Sequence, residues 1–247
     1  MKETQGLNTL LSMYESLVFF DVETTGFDPE SCQIIELAGI RASQSGVTEF
    51  DEFVELLPGN EIPAKIETLT GITPLHLVGA PTEKAALGLF REKMMVGKTL
   101  LVAHNAQFDL NFLGFGYVKY RKEEPEWLKA FFEADYLDSL TVFRDRYPAP
   151  HRLETAIARY KLSGKVRNSH RAIDDTEALM EVVKGMAEER DDLHRYINIF
   201  GYDSRYEISG KTLKKVEYLP QGVMNNMVSA DKILPTKAKG SADTDSK

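Results

Sequence analysis

The stretch FFDVETTG, residues 19–26, sets two carboxylates one residue apart at the end of an apolar run. Alternation along a strand puts residues i and i+2 on one face, so Asp21 and Glu23 point the same way beside a buried strand. Like charges that close require something positive between them. Two further acids share this character. In AHNAQFDLNFL, Asp109 sits on the first turn of a helix beside the stripe of Phe108 and Phe112; alone, a first-turn acid is explained by the helix dipole. In HRAIDDTEALMEVV the inward stripe runs Ala172, Asp175, Leu179 and Val182 or Val183. Asp175 therefore stands where a leucine is expected, while Asp174 turns about 100° away toward solvent. Burying an ionised acid without a partner costs several kcal/mol, and no lysine or arginine on that stripe supplies one.

Asp21, Glu23, Asp109 and Asp175 thus come from three segments, each on or beside a core-facing position. Hard, oxygen-only ligands suit Mg²⁺ or Mn²⁺ rather than zinc. Four carboxylates are the right number to hold two divalent ions roughly 3.5–4 Å apart, one activating water and the other stabilising a leaving oxygen on phosphorus. His170, five residues before Asp175, is placed to accept the water's proton, a task for which imidazole is suited near neutral pH. An isolated histidine there would be read as a surface or capping residue; the company of Asp175 argues for the base.

The elements that must position these groups follow from the patterning. Candidate strands are 17–22, 33–42 and 47–57, separated by turn-rich pieces short enough for antiparallel neighbours, then an apolar strand at 99–104 and a fifth at 134–138. A short helix closed by Gly71 and helices at 82–96, after 104, near 139–146, at 153–160 and at 170–190 complete the list. Three strands followed by strand–helix alternation predict an α/β fold with a mixed sheet covered by helices, and in such sheets the reactive cleft lies at the carboxyl ends of strands. Residues 1–15 read as a loosely held lead-in. Residues 1–190 read as the main domain, 191–220 as a small strand-containing appendage, and 221–247 as a disordered tail.

Composition narrows the setting. With 247 residues, one cysteine (Cys32) and a net charge of -8, the chain has no disulfide framework and no bulk attraction for nucleic acid. No apolar run is long enough to span a membrane and no secretory leader is evident, so a cytoplasmic location is expected. One region runs against the overall charge: between Arg144 and Arg171 there are eight Lys or Arg against two acids. Such runs are usually solvated faces. This one leads into His170.

Three of these stretches resemble the motifs of the DEDDh exonucleases, the group that includes the proofreading subunits of bacterial DNA polymerase III, oligoribonuclease and RNase T. FFDVETTG resembles the first motif, AHNAQFD the second, and HRAIDD the third with its His-x-Ala-x-x-Asp spacing, over residues 16–188. The resemblance implies a ribonuclease H-like fold, a mixed five-stranded sheet flanked by helices. It implies that Asp21 bridges two ions, that Glu23 and Asp175 complete the first site, and that Asp109 binds the second. Glu23 would also contact the terminal 3′-hydroxyl, and His170 would be the general base. Thr24, Thr25 and Gly26 would let the backbone approach the last nucleotide, with Phe27 as a stacking wedge and Asn105 and Phe108 lining the cleft.

The expected reaction is metal-dependent hydrolysis of single-stranded nucleic acid from the 3′ end, releasing nucleoside 5′-monophosphates. Arg152, Arg159, Lys165, Arg167 and Arg171 are candidates for gripping phosphates. LTGIT (69–73) and the motif style look most like the DNA polymerase III exonucleases, including the domain embedded in the long Gram-positive replicative polymerase. That favours DNA and a role in proofreading or repair, with RNA, as for oligoribonuclease and RNase T, the alternative. Residues 196–220 are the expected docking segment for a polymerase or replication partner. The contrasting class is a non-catalytic nucleic-acid-binding module whose acids hold structural ions.

Overall fold

The computed structural model describes residues 6–167 and 169–199. Its elements in order are α1 (Asn8–Met13), β1 (Ser16–Thr24), β2 (Ile34–Ser43), β3 (Gly46–Phe53), α2 (Ala64–Thr70), α3 (Glu83–Met94), β4 (Thr99–Ala103), α4 (Ala106–Lys119), α5 (Pro125–Glu133), β5 (Asp135–Asp138), α6 (Ser139–Arg146), α7 (Leu153–Arg159) and α8 (Ala172–Glu189). Short 3₁₀ turns occupy Pro74–Leu77 and Leu193–Tyr196. The five strands form one sheet in the order β3-β2-β1-β4-β5. β1 pairs antiparallel with β2 and parallel with β4; β2–β3 is antiparallel and β4–β5 parallel. The expected mixed, five-stranded, helix-flanked sheet is the fold observed.

β1 shows how the sequence divides between two cores. Val18, Phe20 and Val22 face a cluster that includes Phe90 of α3, Leu113 and Tyr117 of α4, and Phe131 of α5. Leu17 and Phe19 face the opposite cluster, with Leu179, Val182, Val183 and Met186 of α8. The period-2 alternation then carries Asp21 and Glu23 onto the α8 face, at the carboxyl end of the central strand. A register shift between Glu23 and Thr24 marks a bulge at the strand end, after which pairing resumes with Thr24 opposite Ile34. Close packing also explains a glycine: Gly39 pairs with Phe20 and Phe50, and a Cβ there would meet the Phe90 ring at 2.9 Å.

Several expectations are corrected. Residues 7–14 are no loose lead-in. Leu7, Leu10, Leu11 and Tyr14 recur at helical spacing and are all buried in the α8-side core. β3 ends at Phe53 rather than at residue 57: the Val54 N–H still donates to Ile35 O, but beyond it the chain is held by Gln33, whose side-chain amide donates to Glu55 O and whose Oε1 accepts from Leu57 N. α5 was not anticipated; Pro125 at its first turn and the buried Phe131 are its signature. α8 begins at Ala172, leaving His170 outside the helix. Leu193 and Tyr196 are buried in the α8-side core, and Ile199 is buried as well. The rest of the expected 191–220 appendage and the 221–247 tail lie outside the described residues. No helix among the described residues is long and apolar enough to cross a membrane.

Candidate active site

β1 runs past the end of β4, whose pairing with it stops at Phe19–Val102. Beyond that point the open side of β1 receives α4 instead of a strand: the Val22 N–H donates to Asp109 Oδ1 at 3.2 Å. Asp109 is buried, and α4 is held to the sheet end by a residue that sequence reasoning passed over. Asp138, at the end of β5 and wholly buried, accepts from Asn105 N (3.0 Å), Ala106 N (3.2 Å) and Leu140 N (3.1 Å) through Oδ1, and from Thr141 Oγ1 through Oδ2. It caps α6 and the incoming turn of α4 together. Asn105 takes a left-handed conformation (φ 72°), which asparagine tolerates, so that its amide and the next both reach that carboxylate. An Asp before a predicted helix is a legible capping signal. Its second use on α4 is not.

On the other face α8 brings Asp175 to β1. Carboxylate oxygens of Asp21, Glu23 and Asp175 lie within 4.8 Å of one another, the spacing of a shared cation site. Asp109 is not in that triplet, but of the neighbouring charges it weighs most on Asp21. Burial first, then the Asp109, Glu23 and Asp175 charges, push the Asp21 carboxyl well above the usual range. Burial and then the Asp175 and Glu36 charges push Glu23 up to about 8, and burial pushes Asp175 up to about 6. Asp109 is likewise raised by burial, against the opposing Val22 N–H. Among the described residues no lysine or arginine forms an ion pair with any of the four. A cluster of this kind, all oxygen donors and mutually repelling, fits a hard divalent cation.

His170 is exposed and sits in the left-handed region (φ 57°) immediately before Arg171 and α8. The Ser169 N–H donates to Asp175 Oδ1 at 3.2 Å, so the acid also ties down the loop that carries the histidine. The first-motif loop is equally well held. Thr24 Oγ1 donates to Gly26 O, Thr25 N donates to Gln33 O, and Gln33 N donates to Thr25 Oγ1. A Cβ at Gly26 would come within 2.7 Å of Cys32 Sγ, so the loop presents bare backbone because nothing larger fits. Phe27 is 53% exposed beside it, edge-on to Phe108 at 6.4 Å, and Phe108 in turn packs on Phe112.

The basic run is divided by the structure. Arg146 is buried in ion pairs with Glu189 and Asp192 (3.0 and 2.6 Å), and Arg159 stacks on Tyr147 at 4.1 Å. Arg171 is forked onto buried Glu36. Arg152, Lys165 and Arg167 are exposed. A run of like charge carries no mark of which cations meet an acid or a ring: Arg159 is as exposed as Arg152, whereas Arg146 and Arg171 pair with acids.

The sequence profile of the exonuclease family (RNase_T) matches residues 18–183. The chain belongs to that family. Among curated relatives, the PolC-type DNA polymerase III of Bacillus subtilis is 36% identical over 191 residues, 74% of this chain and 12% of that protein. The Clostridium perfringens PolC-type enzyme is 32% identical over 174 residues, 70% and 11% respectively. The chain therefore spans little more than a tenth of the length of these relatives. Among solved structures, Escherichia coli exonuclease I in complex with a dA16 oligonucleotide superposes with a TM-score of 0.61 at 21% identity, over 74% of this chain and 42% of that one. The zinc-bound form of the same enzyme's single-stranded DNA complex gives 0.61 at 20%, with the same coverage. These structures establish a common fold, and the family match bears out the three-motif resemblance.

Proposed function

We propose that the chain is a 3′-to-5′ exonuclease that hydrolyses single-stranded DNA to nucleoside 5′-monophosphates, in proofreading or repair. The observation that carries the reading is the Asp21–Glu23–Asp175 triplet with Asp109 beside it, at a strand end where an exposed histidine precedes the helix bearing the last acid. Two divalent ions, Mg²⁺ or Mn²⁺, held by Asp21, Glu23, Asp109 and Asp175, would supply activation of water and neutralisation of charge on the scissile phosphate. The remaining work falls to the chain. His170, in reach of solvent, accepts the proton of the attacking water. Glu23 recognises the terminal 3′-hydroxyl. The Thr24–Gly26 loop offers backbone to the last nucleotide, Phe27 stacks against its base, and Asn105 and Phe108 wall the cleft. Exposed Arg152, Lys165 and Arg167 attract phosphates upstream of the end.

DNA is favoured by the PolC-type relatives and by the oligonucleotides in the exonuclease I structures. A polymerase or replication partner is proposed on the same relatives. A cytoplasmic setting follows from that replicative role. The test is digestion of 5′-labelled single-stranded DNA and RNA of one sequence with Mg²⁺ or Mn²⁺, with Asp21→Ala as control. A 3′-to-5′ ladder on DNA, lost in the variant and in chelator, is the expected result. A faster ladder on RNA would move the substrate to RNA, and no ladder on either polymer would leave a nucleic-acid-binding module.

A further inference from the structure

Glu36 is fully buried on β2, directly across from Glu23 in the register, and adds a fourth like charge to the α8 side of a cluster that already repels itself. An acid placed there needs a structural return. The Asp51 carboxyl lies against Glu36, raised to about 6 by burial and then by the Glu36 charge, and four hydrogen bonds reach Glu36 from the α8 end. Arg171 donates Nε to Oε1 and Oε2 at 3.1 and 3.2 Å and Nη2 to Oε1 at 2.7 Å, and the Ala172 N–H donates to Oε2 at 3.0 Å. Ala172 is the first residue of α8, and Arg171 at the N-cap position has no side-chain acceptor to satisfy the helix's opening amides. Glu36 therefore caps α8 from the neighbouring sheet, while the fork fixes the helix's rotation, a geometry lysine cannot reproduce. The face of Phe53, paired across from Glu36, supports the guanidinium at 5.0 Å.

What this cap holds is the catalytic end of α8. His170 is adjacent to Arg171, in a left-handed conformation that persists only where its surroundings over-determine it. Ser169 on its other side is tied to Asp175. The loop is thus pinned on both flanks, by Asp175 before the histidine and by Glu36 after it. We propose that Glu36 and Arg171 are positioning residues, which set His170 and Asp175 against β1, and that Arg171 is not a phosphate contact. This rests on the nuclease reading above and deepens it.

Three variants test it: Glu36→Gln, which keeps an acceptor for Ala172, Arg171→Gln, and Arg171→Lys. Wild type and Asp21→Ala are assayed first, so that failure of the nuclease reading is seen separately. On single-stranded DNA, Glu36→Gln and Arg171→Gln should each lower kcat roughly 10- to 100-fold, the scale of loss from a small misplacement of a reacting group. KM should stay within about twofold. The double variant should be no worse than the worse single, as for two partners in one contact, and Arg171→Lys should recover only part of the loss. The slope of log KM against log salt should be unchanged; a slope smaller by about one in Arg171→Gln, with KM raised and kcat intact, would make the residue a phosphate ligand and overturn the proposal. Amide exchange supplies a readout independent of turnover. Residues 169–173 should exchange faster in Glu36→Gln and in Arg171→Gln while β1 and β4 do not change. Unaltered exchange there, or unaltered kcat, would also overturn it. Arg171 is part-exposed, so Arg171→Gln decides the matter even if Glu36→Gln does not fold.

Discussion

The two helices that deliver acids to β1 are anchored differently. α4 enters through the gap left where β4 stops, and its hold is backbone amides on buried carboxylates: Val22 on Asp109, and Asn105 and Ala106 on Asp138. α8 approaches across the sheet face. Its hold is the buried Glu36 carboxylate, which takes the Ala172 amide and a side-chain fork that is partly open to solvent, with an exposed histidine in a left-handed turn just before it. The α4 half is therefore built into the sheet, and the α8 half is docked onto it. The contrast fits the proposed roles, since a base that meets an incoming water needs access, which a partly open anchor leaves.

The sharpest way to break this comparison is to remove the acid common to both halves. Asp21→Asn should cut turnover by at least about 10³-fold, the order expected when a group acting as part of a unit is lost. It should not lower the melting temperature in chelator, because the removed charge is one that its neighbours oppose. A clearly detectable residual rate above about 1% of wild type would be inconsistent with a shared role for Asp21.

Next in size, His170→Ala should lower kcat by roughly 10²- to 10⁴-fold, the usual contribution of a positioned base, without a change in thermal stability, since the side chain is exposed. Full activity in this variant would remove His170 from the chemistry and leave α8 with Asp175 alone.

The α4 half should respond in stability first. Asp138→Ala strips the acceptor from three amides and a hydroxyl, and at about 1–3 kcal/mol for a buried group left unpaired the domain should lose several degrees of melting temperature. If Asp138→Ala melts like wild type, α4 is not held as described. Leu10→Ala in α1 should cost about 2–5 kcal/mol by the same calorimetric measure, as for other buried leucines, and a loss near zero would restore the segment to a loose lead-in.

The smallest effect is in the metal-free protein. Glu23 and Asp175 have folded values raised above their ordinary ones, to about 8 and about 6. A raised acid adds stability that is complete below its unfolded value and is lost as pH climbs through the folded one. In EDTA the melting temperature should thus fall between about pH 4 and pH 8 on account of this cluster, and Mg²⁺ should restore more of it at pH 8 than at pH 5, because binding displaces protons. Equal Mg²⁺ stabilisation at both values would argue against binding at these acids.

Much of the site was legible because each clue was local. The period of β1 placed Asp21 and Glu23 on one face, and the stripe of α8 placed Asp175 inward with Ala172 and Leu179, as the burial bears out. Gly71 closing α2 in a left-handed cap is a signal of the same kind. The anchors were illegible for the opposite reason. Gln33, Glu36 and Asp138 act through partners far along the chain, with Glu36 and Arg171 separated by 135 positions. A charged residue in a strand pattern reads as solvent-facing unless its partner is known. The basic run divides for the same reason: Arg146, Arg159 and Arg171 differ from Arg152 and Arg167 in what lies opposite them.

The sequence by itself determined which residue types are available for chemistry, on which face of its own element each lies, and the order of the five strands and most of the helices, because periodicity and capping are properties of short segments. Tertiary structure alone decided that β4 stops short and leaves an edge of β1 to Asp109, that a strand glutamate caps a helix more than a hundred residues away, and that Arg146 and Arg171 pair with acids far along the chain. Those are questions of which groups meet across the sheet, and they are settled only when burial forces every polar group to find a partner.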